Sequence, residues 1–369
     1  MSLQKTPLNE YHKSLKAKMV PFAGFEMPVQ YESVKKEYEA VRNTCAWFDI
    51  SHMAPIFLSG KDAYSFLEYL TCRSLASLQQ GQVLYNAIIN EQGGVVDDVT
   101  IYHFPDQTWM LIVNAANKWK VLEFFNKQKN QYDVQITPAE NYVLLAVQGK
   151  ESPNALKSIW DLISSKSFPD IYYYEFSTLP NQSQENFIPM ISRTGYTGED
   201  GFEILLPASK GMELAEKLTD NHCVPAGLAA RDLLRLEMFY PLYGHELKET
   251  WTPYESGLGW LVSKDKEFLG KQEMLKKKEN MQRRIRGFQL VEAGVPREGY
   301  AVFNQNGSEI GEVTSGGFSF QWNCGFGMAF LDLAYAKEGS TIYVDIRGQK
   351  KEAKVLAKSP YKGSIVRRT

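Results

Sequence analysis

The chain has 369 residues, more than one hydrophobic core commonly holds, so two or three domains are expected. With 44% apolar residues, 23% charged residues and a formal net charge of -2, it is composed like a globular protein. No whole-chain field draws it to nucleic acid or an anionic membrane. Its four cysteines, at 45, 72, 223 and 324, lack C-x-x-C spacing, which argues against a zinc site or thioredoxin-type motif. Such scattered cysteines suit a reducing compartment. No apolar run approaches the roughly 20 residues of a membrane helix, and no basic-then-apolar leader opens the chain. The expected compartment is the cytoplasm, or the mitochondrial matrix in a eukaryote.

In chain order, Thr6 and Pro7 read as the N-cap and first position of a helix. Residues 21–28 form a turn-rich apolar loop. Ser33 can cap a helix whose Val34, Tyr38 and Val41 recur at helical spacing. Residues 47–53 read as strand, then loop. Within them His52 has no nucleophile signature beside it and is expected to be structural. A strand over 55–58, a helix over 61–70 and a strand over 83–89 follow, with a turn at 91–94. In the next strand, alternation puts Val95, Asp97, Val99 and Ile101 on one face and Val96, Asp98, Thr100 and Tyr102 on the other. Two adjacent carboxylates in an apolar strand are costly if buried and unpaired. Either both meet water at a bulge or edge, or one faces a site that uses it. Asp98 shares a face with Tyr102, and Tyr85 on the preceding strand can lie nearby. Asn114 ends a strand where a helix over 116–129 begins, a corner that serves caps and ligand contacts alike.

The most distinctive stretch runs from Thr194 to Glu203, between short strands over 187–193 and 201–206. Gly195, Gly198 and Gly201 allow sharp turns and close approach of a ligand. Phe202, Ile204 and Leu206 share one face, so Glu203 points the other way. A carboxylate beside such a turn, near Tyr196, suits a flat, donor-rich heterocycle, although a solvated Glu on a hairpin would look similar.

Gly227 starts a helix with Leu228, Arg231 and Arg235 on one stripe. Arg231 can meet a ligand oxygen or an internal carboxylate, with neither favoured. The only basic cluster, Lys276 to Lys278 and Arg283 to Arg286, reads as a solvated helix end and linker. A boundary falls there, giving residues 1–280 and 281–369. Beyond it, short alternating runs over 287–291, 299–303, 308–314, 326–330, 341–346 and 351–355 predict an all-β module. The order of elements before it is α+β rather than doubly wound. Walker A, G-x-G-x-x-G and H-E-x-x-H motifs are absent, as are internal repeats.

Several stretches together resemble the T-protein of the glycine cleavage system: residues 48–53, 93–98, 113–117, 194–203, 227–236, 242–247, 268–271 and 314–316. They span the chain in the family's order. The resemblance implies a three-lobed cloverleaf of mixed and antiparallel sheets with helices around a central folate channel, plus a C-terminal β-barrel. It implies an aminomethyltransferase that takes a one-carbon unit from the lipoyl arm of H-protein to tetrahydrofolate, releasing ammonia. Tetrahydrofolate is the co-substrate, with no metal expected, and residues 1–280 hold it in two intertwined lobes. By carry-over, Asp98 lies at the reacting folate nitrogens as the catalytic carboxylate, and Glu203 accepts the N–H pair of the pterin edge. Tyr85, Tyr102, Asn114 and Tyr196 line the folate slot, and Arg231 binds a folate oxygen. The chain departs from the family where Ser319 is followed by Phe320 to Cys324 in place of Pro-Thr-Leu, and where Ala229 replaces a glycine. The rivals are a folate-dependent demethylase of a small methyl compound and the folate-binding relative of iron–sulfur assembly. The Lys-Gly-Cys-Tyr motif of that relative is missing.

Overall fold

The computed structural model describes residues 2–164, 167–179 and 186–365. The run Val143 to Val147 is apolar at every position and fully buried, as a strand covered on both faces must be. It lies inside a six-stranded sheet of order Phe176–Thr178, Met190–Ser192, Gly201–Pro207, Tyr142–Gln148, Ala46–Asp49, Val224–Pro225. The last pair is parallel and the others antiparallel. On one side, Val143, Leu145 and Val147 pack with Leu214 and Leu218 of the helix Gly211–Asp220.

A second, antiparallel sheet has the order Val83–Ile89, Val95–His103, Trp109–Val113, Ala54–Ser59, Gln135–Pro138. Helices Ala63–Leu70 and Lys118–Gln128 cover one face through Phe66, Leu67, Val121 and Phe125. From the other face, Val83, Tyr102, Met110 and Ile112 enter one core with Leu144, Ala146 and Leu205 of the first sheet. Ala230 and Leu234 of the helix Leu228–Glu237 close that core. A three-stranded sheet of Gln4–Lys5, Phe25–Gln30 and Lys18–Phe22 lies alongside. The C-terminal region is a closed six-stranded barrel, Arg283–Leu290, Cys324–Asp332, Glu309–Ser319, Ala301–Phe303, Thr341–Ile346 and Gln349–Leu356, filled by Phe288, Val302, Val344 and Val355. The architecture is α+β with a barrel, as expected. Among the described residues no helix is long and apolar enough to cross a membrane.

Three local expectations are corrected. The first helix is Asn9–Ser14 rather than starting at Thr6, because the Thr6 hydroxyl donates to buried Asp49 at 2.6 Å instead of capping. In the strand Val95–His103 a bulge breaks simple alternation: Ile88 pairs with Asp97 but Ile89 with Val95. Val96 therefore joins Val99 and Ile101, while Val95 packs with Ala87 and Ile89. Two of the scattered cysteines also meet. Pairing of Val224 with Ala46 sets Cys223 beside Cys45, and the two form a disulfide across 178 residues of sequence, Cα–Cα 4.9 Å.

The lobes are tied by buried charge. Arg42, on the helix Val34–Asn43, donates to Glu199 at 2.8 Å, to the Thr197 carbonyl at 2.7 Å and to Glu237 at 2.7 Å. Glu237 also accepts from Tyr38 at 2.7 Å and from Ser319 of the barrel. Glu199 accepts from Tyr361 and Ser364 of the C-terminal tail, and the Tyr361 ring lies 4.0 Å from the guanidinium. Removing the cation would leave two buried carboxylates uncompensated. Arg42→Met is therefore expected to lose about 3–5 kcal/mol of stability, read from urea unfolding at neutral pH. A loss under about 1 kcal/mol would place the tie elsewhere.

Candidate functional site

Two glycines launch the acidic strand. A Cβ on Gly94 would fall 1.7 Å from the Glu249 carbonyl oxygen, and Gly93 has φ +76° with Met274 at 2.6 Å from its absent Cβ. No larger residue could hold this turn against the 249 loop and the helix Lys271–Glu279. The strand then presents Asp97, fully buried, and Asp98, half-buried. Tyr85 donates to Asp98 Oδ2 at 2.9 Å, and Asn114 Nδ2 donates to Asp98 Oδ1 at 2.8 Å. Asn114 also holds Asp97, through its backbone N–H at 2.9 Å and its amide at 2.8 Å. Burial pushes both carboxyls above the usual carboxylate range, and the Asp98 charge pushes Asp97 further in the same direction.

Glu203 comes from the other sheet. It is 9% exposed and accepts the Thr194 hydroxyl at 2.6 Å. Thr194 meets Ser192 at 2.7 Å, and Ser192 lies 3.5 Å from the Tyr102 hydroxyl. Tyr102 is four residues beyond Asp98 on one strand, so this hydroxyl chain leads from the strand of Asp98 to Glu203. Burial holds the Glu203 carboxyl above the usual range, with Thr194 and the Arg231 charge acting the other way. Tyr102 itself is fully buried.

The glycine turn is built for protein contact more than for ligand approach. A Cβ at Gly195 or Gly201 would strike the Gln148 amide, at 2.0 and 2.4 Å. Gln148 in return accepts from Thr197 at 2.9 Å and donates to the Thr194 carbonyl at 3.1 Å. Gly198, at φ +81°, closes on Met238 and the tail. Tyr196 is not paired with Glu203. Its hydroxyl donates to the Pro241 carbonyl, and its ring stacks on Tyr240 and lies 4.9 Å from the Arg231 guanidinium.

The two arginines of one helix stripe have different fates. Arg235 is spent internally, on Asp232 at 2.8 Å, Glu246 at 3.1 Å and Ser315 at 2.8 Å. Arg231 keeps a buried Nη1 with no hydrogen-bond partner, and its charge acts on Glu203 and Tyr196. That nitrogen is free to meet a ligand oxygen. Tyr85, Asp98, Asn114, Tyr196 and Arg231 are all half-buried. Cavities of about 270 and 350 Å³ lie elsewhere, lined by none of these residues.

Sequence reasoning passed over Asn117, which donates to Asp97 at 2.5 Å, and Tyr174, whose phenol lies within electrostatic reach of Tyr102 and Glu203. Asn117 stands three residues after Asn114, and that doubling was its available signal. Among the described residues no group of three or more His, Cys, Asp or Glu is arranged to hold a metal ion.

Comparison with known proteins bears on the same residues. Residues 8–266 match the family model described as the GCVT N-terminal domain, and residues 283–362 match the glycine cleavage T-protein C-terminal barrel domain. The aminomethyltransferase of Leptospira interrogans is 42% identical, with 98% of each chain covered. That of Thermosipho melanesiensis is 41% identical, again with 98% of each covered. The crystal structure of glycine cleavage system aminomethyltransferase T from Bartonella henselae superposes with a TM-score of 0.92 at 32% identity, covering 99% of this chain and 100% of that one.

His52 lies buried against aromatic rings. It is 5% exposed, edge-on to Phe22 and Phe25, with no partner for Nδ1. Burial and the Arg231 charge push its imidazole down to about 4, with Asp49 opposing. A base depressed in the folded state is protonated more readily in the unfolded chain. It therefore costs stability as pH falls from about 6.5 toward 4. The loss should reach about 3 kcal/mol at the lower end. His52→Gln is expected to flatten this acid limb in urea midpoints measured against pH. An unchanged limb would assign the acid sensitivity to other groups.

Proposed function

Because the chain belongs to the glycine cleavage T-protein family, we infer that it is an aminomethyltransferase acting with tetrahydrofolate. The donor we propose is the aminomethylated lipoyl arm of H-protein. The observation that carries this reading is the hydroxyl chain Tyr102, Ser192, Thr194, which runs from the strand of Asp98 to Glu203 on the other sheet. Arg231, whose charge acts on Glu203, keeps a nitrogen without a partner. The relatives' shared name and the match along the whole chain support it, and neither rival reading draws support.

In the reaction the transferred carbon loses its bonds to sulfur and to the amino nitrogen and gains bonds to two folate nitrogens. Two protons leave those nitrogens, one ending on ammonia and one on the dihydrolipoyl thiol. Asp98 is the residue we assign to the folate nitrogens. Its carboxyl is raised by burial, which suits a group that takes a proton near neutral pH and gives it up again. Tyr85 and Asn114 fix its two oxygens, so its position is set before substrate arrives. Glu203 accepts the paired N–H groups of the pterin edge; these donors and the Arg231 charge favour its ionised form against the cost of burial. Tyr85, Tyr102, Asn114 and Tyr196 form the remaining walls, and Arg231 Nη1 meets a folate oxygen. We divide the chain after residue 280. The first barrel strand starts at Arg283 and the two family models part between 266 and 283, which supports that division. The compartment we propose is the cytoplasm, or the matrix in a eukaryote.

Incubation with aminomethylated H-protein and tetrahydrofolate should yield ammonia and methylenetetrahydrofolate in equal amounts. Failure to turn over, together with demethylation of a small methyl donor, would overturn the assignment in favour of the demethylase. Asp98→Asn is expected to bind folate nearly as wild type but lose about 10²-fold or more in kcat. Glu203→Ala should instead weaken folate binding by about 2–5 kcal/mol, measured by calorimetry.

A further inference from the structure

We propose that Asp97 is a positioning residue for the transfer, one that fixes the Asp98 carboxylate through the shared amide of Asn114 and makes the two acids exchange one proton between them. The proposal rests on the reading above that Asp98 faces the reacting nitrogens. It assigns work to a side chain that is fully buried and cannot touch substrate.

Asn114 Nδ2 lies 2.8 Å from Asp97 Oδ1 and 2.8 Å from Asp98 Oδ1, with the Asp98 carbonyl at 3.2 Å. One amide nitrogen thus spans both carboxylates. Asp97 accepts two further donors, the Asn114 backbone N–H at 2.9 Å and Asn117 Nδ2 at 2.5 Å. Asn117 is the N-cap of the helix Lys118–Gln128, yet its side chain makes no capping bond; its amide is spent on Asp97. Three N–H groups that can only donate favour Asp97 in its ionised form. Asp98 receives fewer donors and is open to water.

Tyr85 faces the pair from its own sheet, Tyr196 from the glycine turn, Lys120 from the helix, and Tyr243 from the loop beyond it. Lys120 is occupied, with its ammonium on the Tyr243 hydroxyl at 2.6 Å and 3.8 Å from Glu249. Among the described residues no cation forms an ion pair with either acid. Two carboxylates held by one amide without a cation resist double ionisation, and the protons come off in two steps that belong to the pair. An Asp97 carboxylate fixed by N–H donors raises the proton affinity of Asp98. The strand's own geometry thereby makes an ordinary aspartate a stronger base.

A scaffold-only role for Asp97 would predict lost stability and an unmoved pH profile. Asp97→Asn removes the fixed charge. The acid limb of kcat is expected to move down by about one pH unit, with kcat reduced about tenfold at pH 7.5 and the folate dissociation constant within about threefold of wild type. Asn117→Ala removes one donor from Asp97 while leaving every partner of Asp98. It should move the limb the same way, to lower pH, by a smaller amount. Limbs that stay in place, or that shift to higher pH in either variant, would overturn the proposal. Carbon-13 aspartate NMR of the ligand-free protein separates this outcome from a failure of the functional assignment. Two apparent titrations are expected for the pair in wild type, and in Asp98→Asn a single titration displaced downward. If both acids titrate independently, the proton is not shared, whatever the protein catalyses.

Discussion

One buried cation holds the candidate site together at a distance. Arg42 joins a helix near the start of the chain to Glu199 in the glycine turn and Glu237 at the end of a central helix. Through those carboxylates it reaches Ser319 of the barrel and Tyr361 and Ser364 of the tail. A buried ion pair contributes little net stability relative to apolar packing, but breaking it is expensive. What such a network supplies is definition, because each charge has one low-energy arrangement. Here the defined object is the turn whose Glu199 stands four residues before Glu203. The carboxylate assigned to the pterin sits at the far end of a segment whose near end is bolted to three other parts of the molecule.

The acids themselves follow the opposite logic. Asp97, Asp98 and Glu203 are buried or half-buried and are held by neutral donors: Asn114, Asn117, Tyr85 and Thr194. Neutral donors orient a carboxylate without quenching it. Where the protein needs rigidity it pairs Asp or Glu with Arg, as at Arg42 and Arg235. At the acids proposed for the reaction site, it withholds the cation and accepts a raised proton affinity. Arg231 stands between these regimes. It lies within the influence of Glu203 yet leaves Nη1 without a partner. An unpaired buried donor is costly, and on the assignment proposed above a folate oxygen recovers that cost.

Much of this was legible in the residues. The barrel strands followed from alternation and turn residues. The Asp98–Tyr85 contact followed from pairing two neighbouring strands, and a buried acid in an apolar strand was a visible anomaly. The misses share a cause: tertiary partners that no local pattern encodes. Thr6 looks like a helix cap until Asp49, 43 residues later, claims its hydroxyl. Gly195 and Gly201 look like space for a ligand, yet that space belongs to Gln148, from a strand formed some 50 residues earlier in the chain. Arg231 and Arg235 fall on one stripe of a helical wheel, and the tertiary positions of Glu246 and Ser315 separate them. The bulge at Val96 was invisible because alternation carries no record of a skipped partner.

The segment after Ser319, where the chain departs from its family's usual pattern, shows how such a change can be absorbed. Ser319 keeps its hydrogen bond to Glu237, and Trp322 N–H returns to the Ser319 hydroxyl at 3.0 Å, closing the hairpin on itself. Phe320 packs 5.4 Å from the Tyr38 ring, and Trp322 packs 5.2 Å from Phe326. These aromatics fill the seam between barrel and helices, on the side of Tyr38 that binds Glu237. None of them contacts Asp98 or Glu203 through the bonds described above. The altered segment therefore adjoins the Glu237 carboxylate that pairs with Arg42. Its contacts reach Tyr38 and Phe326, and through Glu237 they meet the same ion pair that holds the glycine turn.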